Sequence, residues 1–221
     1  LRGIAVFASL LGMALLASCG GEAPELLALE WRLEERPAKE GNYESLSVFA
    51  SVRDYEGVDN LESLSVVNDG EKLAWRLSPS NWTRQETGGD VWIGASDLAM
   101  ADYGKLPKGE YKVIVTDLAG QQKAMSFRIG SAATGGTAPR AMPALRMAGE
   151  AVAIDSGWPE TLVLAYDGAG SLIGAREAMA GKRELKELFG PSLAARAEFL
   201  AAYGYDTEQH RGAYSWRIKT R

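Results

Sequence analysis

From Leu27 onward the dominant repeat in this chain is two residues. Leu27, Leu29, Trp31 and Leu33 alternate with Ala28, Glu30, Arg32 and Glu34. Leu46, Val48, Ala50 and Val52 do the same, as do Leu73, Trp75 and Leu77, then Tyr111, Val113 and Val115, then Met125, Phe127 and Ile129. Alternation of this kind predicts strands with one face buried and one face wet. Asn68-Asp69-Gly70-Glu71 and Asp117-Leu118-Ala119-Gly120 punctuate the runs and suit hairpin turns, with Gly70 the residue expected at positive φ. Closely spaced strands without a long helix predict an antiparallel sandwich over residues 27–130.

Residues 131–143 are rich in Gly, Ala, Thr and Pro and read as a linker. Beyond it, in residues 144–221, the pattern is mixed. Leu162, Leu164 and Tyr166 alternate, Asp167-Gly168-Ala169-Gly170 turns the chain, and Leu172-Ile173 resumes. A helix is expected over Lys182 to Phe189, stopped by Gly190-Pro191. A second is expected after a Ser192 cap, with Leu193, Ala197, Leu200 and Tyr203 on one face and Gly204 at its end. Tyr214, Trp216 and Ile218 alternate as a last strand. The fold class expected is therefore mainly β, an antiparallel sandwich followed by a small α+β unit. A unit of that size buries a limited core, so it should pack on the sandwich or add strands to it.

The stretch from Leu106-Pro107-Lys108-Gly109 through Tyr111-Lys112-Val113-Ile114-Val115 to Gly120 resembles the final hairpin of immunoglobulin-like or fibronectin-III-like domains of bacterial surface proteins. The resemblance implies an immunoglobulin-like sandwich for residues 27–130 and implies no activity. The cysteine pair of immunoglobulins is absent.

The first residues obey another logic. Arg2 precedes an apolar run from Ile4 to Leu16. Thirteen helical residues span roughly 20 Å, too short for a bilayer core of about 30 Å and suited to a signal-peptide core. The run ends in Leu16-Ala17-Ser18-Cys19. These residues resemble the lipobox of bacterial lipoproteins. The resemblance implies a signal peptide over residues 1–18, lipidation of Cys19, a membrane partner through that lipid, and a flexible tether over residues 19–26. Gly20 in place of Asp implies the outer membrane rather than the inner one.

Composition narrows the chemistry. The chain has 221 residues, 46% hydrophobic and 24% charged, values of a globular protein. From Cys19 onward it carries 23 basic and 29 acidic residues, a net of about −6. No basic block favours nucleic acid, and none is expected as a partner. One cysteine and one histidine are too few for a Cys/His zinc site. No cofactor, metal or catalytic residue is expected.

Four features remain as candidates. Asp54, Glu56, Asp59 and Glu62 have the density of a calcium site but not an EF-hand spacing, and read as a solvated loop. His210 sits in the polar segment Asp206–Arg211 with no nucleophile in view. Asn81-Trp82-Thr83 fits a glycosylation sequon with no use expected in a bacterial lipoprotein. Trp82, Trp92 and Trp158 are the candidate ligand-binding residues, Trp82 through exposure in a polar stretch and Trp158 at a groove rim. The reading these features support is a non-catalytic envelope lipoprotein acting as a binding or structural module, with an envelope protein or a glycan as its possible partner. A carbohydrate- or peptidoglycan-binding lipoprotein is the alternative, and a glycosidase using carboxylates alone the third.

Overall fold

The computed structural model describes residues 21–130 and 140–221. The expected signal peptide, Cys19 and most of the expected linker lie outside them. The described chain is mainly β, with antiparallel sheets and few helices.

Eight strands build the first sandwich: β1 (Glu25–Ala38), β2 (Gly41–Arg53), β3 (Leu61–Asn68), β4 (Leu73–Leu77), β5 (Thr83–Thr87), β6 (Asp90–Ala99), β7 (Gly109–Asp117) and β8 (Gln122–Ile129). They form two layers, β1-β2-β6-β5 and β4-β3-β7-β8. With one added edge strand, this is the strand order of an immunoglobulin sandwich. Between the layers lie Leu33, Leu46, Val48, Leu64, Val66, Ile93, Tyr111, Val113 and Ile129, all buried. Leu33, Leu46, Val48, Tyr111, Val113 and Ile129 are inward positions of the period-two pattern; Leu64, Val66 and Ile93 come from β3 and β6, which that pattern does not mark. The Tyr111 hydroxyl donates to the Pro107 carbonyl at 2.8 Å, which pins the β6–β7 connection to the start of β7, as the tyrosine corner does in such sandwiches.

Two details depart from the pattern. A bulge between Leu26 and Ala28 turns Leu26 inward and leaves Leu27 41% exposed. In the β3–β4 hairpin the positive φ belongs to Lys72, at 53°, not to Gly70. The Asn68 side chain accepts the Glu71 N–H there and fixes the turn from its first residue.

The second region adds β9 (Ala144–Ala148), β10 (Ala151–Asp155), β11 (Glu160–Tyr166), β12 (Leu172–Glu177), β13 (Gly181–Glu184), α1 (Leu185–Phe189), α2 (Pro191–Arg196), β14 (Phe199–Asp206), β15 (Arg211–Tyr214) and β16 (Ile218–Lys219). Both helices are shorter than expected. Residues 181–184 pair with β10 rather than opening a helix. Gly190 closes α1 and precedes α2, whose first residue is Pro191, so Ser192 is not the cap. Proline suits that first position because its missing N–H would have no helical partner. The segment expected to continue α2 to Tyr203 is instead β14. Leu200 and Ala202 point into the second core, while Tyr203 and Tyr205 point away from it. The spacing of Ala197, Leu200 and Tyr203 fits a helix equally well. Strand partners on both sides, β11 and β15, decide the matter.

The two regions share one sheet. β1 pairs in parallel with β15, through Leu33–Arg211, Glu34–Gly212 and Glu35–Ala213. The result is a nine-stranded sheet ordered β12-β11-β14-β15-β1-β2-β6-β5, with β16 beside β14. The four-stranded sheet, the β13-β10-β9 sheet and both helices supply the two apolar clusters on one side of it. Replacing Tyr111 with Phe removes one buried hydrogen bond and should cost about 1 kcal/mol. Urea unfolding of the two proteins measures it, and equal midpoints would refute the role of the corner.

Candidate functional site

The long sheet has a second face, opposite the two cores, and its centre is the seam where β1 meets β15. Side chains alternate along strands, so the wet partners of Leu33 are Arg32 and Glu34, with Arg36 one step further. Tyr203 and Tyr205 of β14 and Tyr214 of β15 face the same way.

Glu34 is the pivot. It is 3% exposed, and both carboxylate oxygens are held. Oε1 accepts the Tyr203 hydroxyl at 3.0 Å. Oε2 accepts Arg36 at 2.8 Å. The Tyr203 hydroxyl in turn accepts from Arg32 at 2.9 Å. Arg36 also reaches Ser45 Oγ and the Ser96 carbonyl, each at 2.8 Å, and stacks over the Tyr214 ring at 4.3 Å. Gly212, opposite Glu34, makes room for this. A Cβ there would sit 2.5 Å from the Tyr203 hydroxyl.

Burial pushes the Glu34 carboxyl above its usual range, and Arg36 and the Tyr203 hydroxyl pull part of that back. Burial and the neighbouring Glu34 raise the Tyr203 and Tyr214 phenols, so both stay neutral. Tyr205 is raised first by its hydrogen bond to Glu160.

The face continues outward from the seam. Tyr203 stacks on Tyr205 and Tyr214 with ring centroids 5.4 and 4.3 Å apart. Arg217 lies 3.8 Å over Tyr166. Tyr43 meets Tyr103 edge-on at 5.1 Å. Six of the eight tyrosines thus gather on or beside one face. The outer face of the four-stranded sheet is different in kind. It carries ion pairs between exposed groups, Arg76–Glu62 and Arg128–Glu110.

The three tryptophans expected to bind ligand do not come together. Trp82 is half-buried against the first core, beside Val58, Pro79 and Arg84. Trp92 lies on the wet face of the long sheet, paired across to Ser51 and Gln85. Trp158 packs over Gly204, where a Cβ would come within 2.4 Å of its ring, and donates to the Ala141 carbonyl at 2.9 Å. It therefore clamps the chain entering the second region. The acidic cluster is spread among partners: Asp59 pairs with Arg84 and Glu62 with Arg76. Among the described residues, no three His, Cys, Asp or Glu groups converge as a metal site. His210 has positive φ, 51°. Its ring stacks on Trp31 at 4.4 Å, next to the backbone bond from Leu33 N–H to the His210 carbonyl.

The tyrosine–arginine face has no sequence motif. Its one legible sign is the wet-side series Arg32, Glu34, Arg36, whose partners lie some 170 residues away. A separate cleft of about 430 Å³ lies between the β9–β10 turn and the helices, lined by Met147, Leu185, Ala194 and Arg221, with Lys186 paired to Glu150 at its rim.

The sequence matches no protein-family model and no curated protein. Among solved structures it is similar to dimeric latent PorU from Porphyromonas gingivalis, at 15% identity and a TM-score of 0.33, over 90% of this chain and 20% of that one. It is also similar to Tp47, the 47-kilodalton lipoprotein of Treponema pallidum, at 9% identity and a TM-score of 0.35, over 90% of this chain and 50% of that one. The chain thus spans about a fifth and a half of these two neighbours. At such scores neither informs its activity, ligand or partner. Among the described residues no helix is long and apolar enough to cross a membrane, which says nothing of strands.

A native carboxyl that holds its proton to higher pH than the unfolded chain makes the fold less stable as pH rises through that interval. Glu34 should therefore contribute a fall in stability from the usual carboxylate range, near 4.5, up to its raised value. Glu34→Gln should flatten that fall. Urea midpoints of both proteins across this interval test it, and parallel curves would refute it.

Proposed function

We propose that this chain is the body of a lipid-anchored cell-envelope protein that binds a protein partner, without catalysis, on the wet face of its long sheet. The observation that carries the reading is the tyrosine–arginine face around the buried Glu34–Tyr203 pair, where Arg32, Arg36, Tyr205 and Tyr214 are part-exposed. Tyrosine and arginine are enriched at protein interfaces, where a rigid ring and a forked guanidinium give contact and hydrogen bonding together. The seam is held rigid by its own bonds, so little ordering cost falls on binding. Glu34 is engaged on both oxygens, which suits a structural carboxylate rather than a proton donor or nucleophile.

The anchor half of the reading rests on the resemblance of Leu16-Ala17-Ser18-Cys19 to a lipobox, with the outer membrane as destination. Two or three acyl chains hold a protein firmly where one is marginal. A glycan is the second reading for the same face, favoured by Trp92 beside Gln85 and Ser51. The ring faces at the seam are already stacked on one another and under arginines, which leaves edges and hydroxyls for a ligand. That geometry favours a peptide surface over a sugar ring.

Two measurements test the two halves. Cys19→Ser should move the protein out of the membrane fraction, and retention there would refute the anchor. A photo-crosslinking residue at Tyr205 or Trp92 in intact cells should yield a protein adduct that is absent with the same residue at Lys112, on the other outer face. Equal adducts at all three, or none at the first two, would refute the binding face. Peptidoglycan pull-down abolished by Trp92→Ala, with no protein adduct, would transfer the face to a glycan.

A further inference from the structure

The start of the described chain and two exposed apolar loop tips meet at one end of the first sandwich. The Gly21 carbonyl accepts from the Gln121 side chain, in the β7–β8 turn. Gly21 also lies against the β2–β3 loop, where a Cβ would come within 2.8 Å of the Glu56 carboxylate. The two loops are braced to each other and within themselves. Leu118 N–H donates to the Asn60 carbonyl at 2.8 Å, and Asp54 accepts the Glu56 N–H at 2.8 Å.

The tips of these loops carry Tyr55, 87% exposed, and Leu118, 68% exposed. Leu27, on the bulge near the start of β1 and so toward the same end, is 41% exposed. Three of the seven large apolar side chains exposed on the described surface thus belong to this end.

Cys19 precedes Gly21 by two residues, and two residues of extended chain reach no further than about 7 Å. A lipid on that sulfur would therefore enter a bilayer near the β2–β3 and β7–β8 loops, which hold Gly21 and carry Tyr55 and Leu118. We propose that this end of the sandwich is seated on the lipid surface that holds the acyl chains, with Tyr55 and Leu118 in the boundary between headgroups and chains. The proposal rests on the lipid anchor of the preceding reading. It adds that the body stands on its end instead of trailing on a leash.

A tyrosine ring with a polar tip and a leucine on neighbouring turns suit that boundary. Glu25, Glu56 and Asp59 flank them, Glu25 and Asp59 already paired with Arg53 and Arg84. The fit is thus to neutral headgroups, since unpaired acid is repelled by anionic lipid. The consequence is height. β1 runs from this end for 14 residues, about 45 Å at 3.3 Å each. The seam with β15 begins eight residues along it, at Leu33, and so stands about 26 Å above the membrane.

The test uses the lipidated full chain in phosphatidylcholine vesicles. Acylation consumes the one native thiol, so a single introduced cysteine can carry an environment-sensitive fluorophore. Tyr55→Cys and Leu118→Cys report the seated end, and Glu40→Cys, in the β1–β2 turn, the opposite one. Blue-shifted emission and loss of iodide quenching at 55 and 118, with neither at 40, is the expected result. If the protein floats with the vesicles but all three probes are quenched alike, the body hangs on a leash: this proposal is overturned and the anchor stands. If it does not float at all, the anchor falls and this proposal with it.

Discussion

Parallel pairing of β1 with β15 puts an acid, Glu34, in the middle of a sheet with no water to solvate it. A carboxylate buried that deeply costs several kcal/mol unless its oxygens find donors. Each arrangement at the seam supplies one. Tyr203 crosses from β14 because Gly212 leaves space over the strand between them. Arg36 bends across from its own strand and is itself held by Ser45, Ser96 and the Tyr214 ring. Removing any one of these leaves a charge or a hydroxyl unpaired, so the group stands or falls as a unit.

This arrangement makes the sandwich and the α+β unit into one body. Each has its own apolar cluster, and short contact between separate domains would ordinarily permit motion. A shared sheet, joined by backbone bonds and a buried polar group, does not. The same join aligns the wet faces of both halves into one surface, so tyrosines distant in sequence become neighbours. At the Gly21 end of the first sandwich, loops braced against one another and against that residue give the molecule a defined end.

The period-two pattern marks five of the eight strands of the first sandwich and names inward residues such as Leu46, Val48, Tyr111, Val113 and Ile129, because one buried face selects one register. It leaves β3, β5 and β6 unmarked. The bulge at Leu26–Ala28 and the positive φ at Lys72 escaped it, since a bulge leaves no mark on composition and the Asn68 side chain, not a glycine, shapes that turn. In the second region the segment around Leu200 carried both periods at once, and helix was the wrong choice. Local pattern cannot separate them where small residues such as Ala201, Ala202 and Gly204 fill the gaps.

Alone, the sequence determined the class of fold, the turns and the absence of a Cys/His zinc chemistry, because each depends on neighbours along the chain or on counts. Where Trp82, Trp92 and Trp158 lie, and that Glu34 meets Tyr203, depend on which strands lie side by side. That is a long-range matter, settled only when residue 34 and residue 212 are brought together across the whole length of the fold.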